Sequence, residues 1–465
     1  MKAVSILTIG RKQGSPRLWI ENQSALRAGF IPGLRFNVRE HGQGIVLEVS
    51  EDGARTVSGK SKGDRITPVI DINSRGDLES VSDHQTVRII YGRLRIYISP
   101  LASELRRVRR LKRLRSNLES GCITTAGLAA GGGIMSHAIQ AGLSDAGLRS
   151  SCAVFNEIRA DLTEQACCVN EVIMDETVVA NVPLQELVFD DEVMRRLPEV
   201  DVLEMGIPCS GASSAGRAKN KIAHPEDHPH VGHLVAGLVA AIAKFNPAAL
   251  LLECVVNYSH SASAAVLRTM LCDLGYDVHE CVLNGTDWGE LEARERWYLV
   301  GVTRGIAFDF ERLVPERYPV RYLAEVLEDV ADDDPRWSAM QYLRDKEVRD
   351  LAAGKGFRMQ IFDGSEIAIN TLTKGLSKRR STDPMIAHPS DPLLMRTPTV
   401  VEHARCKGVP ERLVAGLSQT IGHEMLGQSV VYRPVRRLAQ FLGEALRRAA
   451  FAPILPSQAV IKAAS

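Results

Sequence analysis

From Gly121 to Arg304 the chain reads as an α/β fold, a doubly wound and mostly parallel sheet. Two observations predict it. Short apolar runs of β-type residues recur at "CITTAG", "SCAVFN", "TVVANV", "DVLEMGI", "AALLLECV", "YDVHECVL" and "RWYLVGVT". Helical stretches separate most of them, among them "GGGIMSHAIQAGLSDAG", "HVGHLVAGLVAAIAKF" and "ASAAVLRTMLCDLG". In such a sheet ligands lie at the carboxyl ends of strands, so the residues that follow each run are the candidates for chemistry.

Five segments make up the 465 residues. Residues 1–100 hold short β-rich runs, "RLWI", "GIVLEVS" and "TVRIIYGRLRIYIS", broken by Gly, Pro and Asp turns, and predict an all-β domain. Residues 101–120 contain "ELRRVRRLKRLRSN", where Leu105, Val108, Leu111 and Leu114 recur every three residues among arginines. That pattern is a basic linker helix, either a solvated face or a contact to a nucleic-acid backbone. Residues 121–302 form the α/β domain. Residues 303–395 are polar and irregular, acidic at "EDVADDDPR" and basic at "LTKGLSKRRSTDP", and read as an insert. Residues 396–465 regain helical character at "TVVEHARCKGVPERLVAGL" and "SVVYRPVRRLAQFLGEALRRAA" and complete the α/β domain.

Composition narrows the class. The chain is 45% hydrophobic and 24% charged with a net charge of +1, so any basic surface is local. Nine cysteines without a CxxC pair argue against a disulfide framework and a zinc ribbon, and fit a reducing cytoplasm. The apolar stretch in "MKAVSILTIGRK" is too short for a signal peptide, and no run approaches the length of a membrane span.

The first α/β strand runs into "TAGLAAGGGIMSHAIQAGL". Gly127, Gly131, Gly132 and Gly133 let backbone approach a ligand at the start of a helix. Glu157 lies 24 residues past Gly133, at the end of the second strand, where a carboxylate suits the hydroxyls of a ribose. The spacing is not GxGxxG; a tight turn packing helix on strand explains the glycines alone, and Glu157 in register tips the reading to a nucleoside-type cofactor.

The stretch "DVLEMGIPCSGASSAGRAKN" places Cys209 behind Pro208 at a strand end, followed by small residues. A thiolate there attacks soft, electron-poor carbon, whereas inert packing suits the other eight cysteines. "LLLECV" sets Glu253 at a neighbouring strand terminus, where burial raises a carboxyl toward the range of a proton donor. "EARERWYLVG" adds Arg294 and Arg296, two guanidiniums suited to phosphate or carbonyl oxygens, though alternating charges on a surface strand explain each singly. His224, His228, His230 and His233 crowd "AHPEDHPHVGH"; without cysteine partners or HExxH spacing they are expected as loop and helix-start residues, with no metal.

The order of these blocks resembles the DNA (cytosine-5) methyltransferase family across residues 121–446. "TAGLAAGGG" resembles its first cofactor block and "VFNEIRA" its ribose-binding acid. "GIPCSGASSAG" resembles the proline-cysteine block, "ECV" the glutamate block usually written ENV, and "EARERWYLVG" the QxRxR block. "RTPTVVEHARCKGVPERL" resembles the block after the target-recognition region, and "IGHEMLGQSV" the closing LGNSV block. Departures stand at Ser210, Ala212, Glu292 and Gln428, where the family has glutamine, an aromatic, glutamine and asparagine, and at Asn181, where an acid is expected near the third strand.

The resemblance implies a Rossmann-like S-adenosylmethionine-dependent methyltransferase that methylates C5 of a flipped cytosine in double-stranded DNA. Cys209, Glu253, Arg294 and Arg296 are then catalytic. Gly127, Gly131, Gly132, Gly133, Glu157, Asn181, Gln428 and Ser429 hold the cofactor. Gly211, Ala212, Ser213 and Gly216 leave room in a loop that closes on DNA, with Ser213, Arg217, Lys219 and Lys221 as contacts. Residues 303–395 select the sequence through Lys374, Lys378, Arg379 and Arg380. A cognate restriction endonuclease is the implied partner. RNA as substrate, or a catalytically silent DNA-binding regulator, are the alternatives. "AGFIPG" and its flanks faintly resemble small β domains of the AbrB and SymE type, implying DNA binding or dimerisation; a β module that packs on the catalytic core is the other reading.

Overall fold

The computed structural model describes residues 1–62, 65–354 and 358–454. The chain forms one compact unit from Met1 to Arg109 and a second from Arg110 to Ala452. The small net charge conceals a division between them. Residues 1–109 carry 18 Lys and Arg against 11 Asp and Glu, a net +7, whereas residues 110–452 carry 38 against 45, a net −7.

In the first unit an antiparallel six-stranded sheet runs in the order Ala3–Thr8, Thr86–Tyr91, Arg95–Pro100, Gly44–Val49, Arg35–His41, Arg55–Thr56. A four-stranded sheet, Gly10–Lys12, Ser15–Glu21, Arg65–Ile72 and Ser58–Lys62, accompanies it. Strand alternation builds the core: Pro16, Leu18 and Ile20 are buried while Trp19 and Glu21 face outward. Leu18, Ile20, Phe30, Leu47, Ile70, Val87, Ile89 and Ile96 close one hydrophobic cluster.

In the second unit, with elements numbered within it, the strands are β1 (Ile123–Leu128), β2 (Ser150–Asn156), β3 (Val178–Ala180), β4 (Val202–Gly206), β5 (Ala249–Cys254), β6 (Tyr276–Asn284) and β7 (Glu295–Thr303). They form one sheet in the order β3-β2-β1-β4-β5-β7-β6, with β7 alone antiparallel to its neighbours. The strand order reverses between β1 and β4, which puts the ligand crevice at the ends of those two strands. Period-2 alternation sorts the two faces. Val202, Ala249 and Leu251 pack under α1 (Ile134–Asp145), whereas Leu203, Met205, Leu250 and Leu252 pack under α2 (Leu234–Phe245) and α3 (Ala262–Asp273). The chain returns after the insert through α4 (Val400–Cys406), α5 (Gln419–Gln428) and α6 (Tyr432–Ala450). In α6, Val435, Leu438, Ala439, Leu442, Ala445 and Leu446 are buried at three- and four-residue spacing, the stripe that lays it along α1.

The basic helix is Ala102–Glu119; Arg109 and Lys112 are exposed on it, whereas Arg110 and Arg113 turn inward to partners in the protein. Arg110 is 1% exposed, stacks over the Tyr276 ring at 3.9 Å and donates to Leu274 O at 2.8 Å. Arg113 pairs with Glu199 at 2.7 Å and Asp201 at 3.2 Å, and donates to Val200 O and Asn246 O. A guanidinium presents five donors, so a buried one draws carbonyls and carboxylates around it rather than solvent or phosphate. Asp201, 0% exposed at the start of β4, also accepts from Thr124 N and Asn117 Nδ2 and so fixes the root of the strand that carries Cys209.

The seven-stranded sheet takes in Thr303, the first residue of 303–395, and none of the described residues of 304–395 joins it. They form a helix (Gln341–Ala352) and a small sheet of Gln360–Phe362, Pro384–Ala387 and Met395–Arg396. All nine cysteines are free thiols, and no helix among the described residues is long and apolar enough to cross a membrane.

Candidate active site

β4 ends at Gly206, and the chain turns through Ile207 and Pro208 (φ −55°) into a single 3-10 turn at Cys209–Gly211. Pro208 pre-sets the backbone for the turn. Cys209 O accepts from Ala212 N at 3.0 Å and Ser213 N at 2.9 Å, leaving the half-buried thiol at the strand lip.

The small residues that follow are packed, contrary to the expectation that they leave room. A Cβ on Gly211 would stand 2.6 Å from Pro225 O, one on Gly216 would stand 2.0 Å from Ser210 O, and Ala212 is 1% exposed. Their size serves close backbone approach. Ser213 caps the short helix Ser214–Asn220 by accepting from Gly216 N at 3.1 Å, so its hydroxyl is already engaged. Arg217 donates to Ala223 O, and Lys221 is an exposed left-handed cap (φ +53°). The Lys219 side chain lies outside the described residues.

Glu253, opposite Gly206 in the β4–β5 ladder, is 7% exposed. Arg296 Nε lies 3.0 Å from its Oε1. Burial pushes this carboxyl up, while Arg296, Arg294 and Lys407 pull it back. Arg294 is 4% exposed; its Nη2 donates to Gly427 O at 3.1 Å and its Nη1 lies 3.5 Å from Glu292 Oε1. Its Nε has no hydrogen-bond partner among the described residues. Arg294 interacts electrostatically with both Cys209 and Glu253. The four residues expected to act together are thus gathered at the ends of β4, β5 and β7.

The glycine block divides into two kinds. Gly127, Gly132 and Gly133 are small because side chains press on them: a Cβ would meet Glu204 Oε1 at 2.9 Å, Met425 Sδ at 2.0 Å and Asn170 Nδ2 at 2.5 Å. Gly131 is different. It has φ +58° with open space where a Cβ would stand, and its N–H donates to Glu157 Oε2 at 2.7 Å. Glu157 also accepts from Arg159 N at 2.9 Å, so the carboxylate ties the glycine turn to the end of β2. Asn181 Nδ2 donates to Glu157 O and Thr163 Oγ1, which commits its amide to the chain. At the end of α5, Gln428 is exposed, whereas the Ser429 hydroxyl donates to Leu426 O at 2.8 Å.

Lys374, Lys378, Arg379 and Arg380 are exposed. Their segment rests on the last turn of α5, since a Cβ on Gly427 would stand 2.1 Å from Lys374 N. Gly427 therefore joins the basic segment to Arg294. The Arg380 guanidinium covers Gly375. The four histidines precede α2: His230 N donates to His228 Nδ1, and His233 Nε2 lies 2.8 Å from Gln185 Nε2.

Three residues escaped the sequence reading. Lys407 is 0% exposed with its Nζ 2.9 Å from Glu292 Oε2. Glu204, 5% exposed on β4, has an oxygen without a partner and a carboxyl that burial pushes up to about 8. Gly427 is the third. A glutamate inside "DVLEMGI" was a readable anomaly; Lys407 and Gly427 gave no local signal.

The profile described as C-5 cytosine-specific DNA methylase matches residues 123–444. The chain belongs to that family. Type II methyltransferase M1.ScrFI of Lactococcus lactis subsp. cremoris is 28% identical over 263 residues, 54% of this chain and 64% of the relative. Type II methyltransferase M.NlaX of Neisseria lactamica is 28% identical over 259 residues, covering 54% and 78%. The chain thus spans less than two thirds of the first of these relatives. A crystal structure of the S. pombe Dnmt2 methyltransferase shares the fold, with a TM-score of 0.54 at 15% identity over 70% of this chain and 99% of that one. Cys209 follows Pro208, and Glu253 stands at the end of the adjacent strand. Glu292, where the resemblance leads one to expect glutamine, is buried against Lys407.

Proposed function

We propose that the chain transfers a methyl group from S-adenosylmethionine to C5 of cytosine in duplex DNA. The observation that carries this reading is the free thiol of Cys209, electrostatically coupled to Arg294, one strand from a buried carboxyl held by Arg296. The Cys209 thiolate adds to C6 of the base. Glu253, kept toward its protonated form by burial, donates to N3, so electron density gathers at C5. Arg296 holds the base O2 or a neighbouring phosphate, and Arg294 supports it. Methylation at C5, loss of the C5 proton and departure of Cys209 restore the aromatic ring.

The cofactor end fits a nucleoside. The open face of Gly131 admits a ligand against bare backbone, and Glu157 offers its carboxylate to ribose hydroxyls. Gly127, Gly132 and Gly133 shape that turn, Asn181 is tied to Glu157 beside it, and Gln428 and Ser429 are the further residues this reading assigns to the cofactor. S-adenosylmethionine supplies the methyl group when bound. The target base must leave the stack, at a cost of roughly a few kcal/mol. Arg217, Lys221, Lys374, Lys378, Arg379 and Arg380 are the cations placed to offset it through phosphates, and residues 303–395 are the region that selects sequence. A restriction endonuclease with the same recognition sequence is the partner this reading implies.

Transfer of tritium from labelled cofactor to duplex DNA tests the proposal, with tRNA as the comparison substrate. Label in DNA, and a covalent adduct with 5-fluorocytosine DNA that Cys209→Ser abolishes, are expected. Label confined to RNA, or duplex binding without an adduct, contradicts it. Bisulfite sequencing of DNA from expressing cells then reads the sequence context.

A further inference from the structure

Glu292 is the meeting point of three segments distant in sequence. It lies in Glu292–Ala293, which pairs in parallel with Ile369–Asn370 of the insert, and its Oε1 accepts from Leu372 N at 3.1 Å. Its Oε2 contacts Lys407 Nζ at 2.9 Å, and the same nitrogen reaches Ser429 O at 3.5 Å; burial and Arg294 pull this amine down to about 7, and Glu292 opposes the fall by favouring its charged form. Both side chains are 0% exposed. Arg294 sits two residues on, between Glu292 Oε1 and Gly427 O. A carboxylate with two cations in reach is shared between them, and each holds the other at its distance.

We infer that Lys407 and Glu292 act as a positioning pair for Arg294. By neutralising Glu292, Lys407 keeps the Arg294 guanidinium from closing on that carboxylate and leaves its charge for Cys209. Removing Lys407 alone turns Glu292 into a trap for Arg294. Removing Glu292 alone adds an uncompensated cation near Cys209 and Glu253. Removing both charges returns Arg294 to Gly427 O. The two single changes therefore push Cys209 in opposite directions, whereas a purely structural pair would move it the same way.

The inference rests on the methyltransferase reading, but its main readout does not. The alkylation rate of Cys209 by iodoacetamide, followed by mass spectrometry of its peptide, reports thiolate character, and about one pKa unit is a tenfold change. Lys407→Met should slow alkylation about tenfold and methyl transfer by about 100-fold, while cofactor affinity stays within about threefold. Glu292→Gln should leave alkylation as fast as wild type or faster. The double variant Glu292→Gln/Lys407→Met should recover alkylation and transfer to within about threefold of wild type. Wild-type alkylation in folded Lys407→Met, or a double variant as slow as it, overturns the inference. If Lys407→Met does not fold, slower alkylation in Glu292→Gln overturns it equally. Should the wild type transfer no label while the alkylation pattern holds, the reading of function fails and the pair stands.

Discussion

Glu204 and Glu253 lie on adjacent strands, face the same side of the sheet and are 5% and 7% exposed, yet their surroundings are opposite. Glu253 has Arg296 at 3.0 Å and two further cations acting on it. Glu204 has Gly127 and Ser136 beside it and an oxygen with no partner. Burial raises both carboxyls; three cations oppose the rise at Glu253, whereas at Glu204 only the Ser136 hydroxyl does. Glu402 completes the series. At 0% exposure it accepts from Arg396 through both oxygens at 2.7 Å, from Thr399 N and from Glu328 N. Equal burial therefore gives three different groups: a carboxyl faced by cations, a neutral filler and a carboxyl bonded through both oxygens.

The sharpest way to break this comparison is Glu253→Gln. The amide keeps the shape but cannot deliver a proton, so methyl transfer should fall about 10²- to 10⁴-fold. In the wild type the acid form is lost as pH rises through the elevated pKa, so its rate declines on the alkaline side, and the variant should lack that limb. A rate near wild type removes Glu253 from the chemistry. Glu402→Gln should instead act on stability. It leaves the Arg396 guanidinium, 2% exposed, without its anion, and should lower unfolding free energy by about 3–5 kcal/mol in a denaturant titration. Its methyl-transfer rate per folded molecule should stay within about tenfold of wild type.

These contrasts mark what could be read from the chain alone. The α/β domain was legible because each strand is an apolar run and each helix an apolar stripe, both local signals. Cys209, Glu253, Arg294 and Arg296 were legible because strand ends in a doubly wound sheet converge. The roles of the small residues were not. Gly211 and Gly216 look like spare room in sequence, whereas Pro225 O and Ser210 O lie against them, a contact that only the folded turn creates. Likewise the basic stripe at Arg110 and Arg113 carries no mark of burial until Tyr276, Glu199 and Asp201 arrive from distant segments. Lys407 is hidden for the same reason: its partner is 115 residues earlier, beyond any local pattern.

Glu204→Gln tests the neutral member of the series. With a carboxyl raised from 4.5 to about 8, the folded protein keeps a proton that the unfolded chain has already released. Stability linked to this group is complete below pH 4.5 and drains away as pH rises toward 8. Between pH 6 and pH 8 the wild type should lose about 2 kcal/mol that the glutamine variant does not. Parallel pH–stability curves for the two proteins would mean that the carboxyl has found a partner or a water.

The smallest effects belong to the exposed cations, where solvent takes the place that buried partners hold elsewhere. Lys378 and Arg379 are exposed on the segment whose Lys374 rests on Gly427. If they meet phosphates, Lys378→Ala and Arg379→Ala should each weaken duplex binding about five- to tenfold at moderate salt and reduce the slope of log affinity against log salt by about one. The loss should be uniform across sequences, since a phosphate contact carries no base information. A loss confined to one sequence context would move the residue from backbone contact to base readout. An unchanged salt slope would return both residues to the solvated surface.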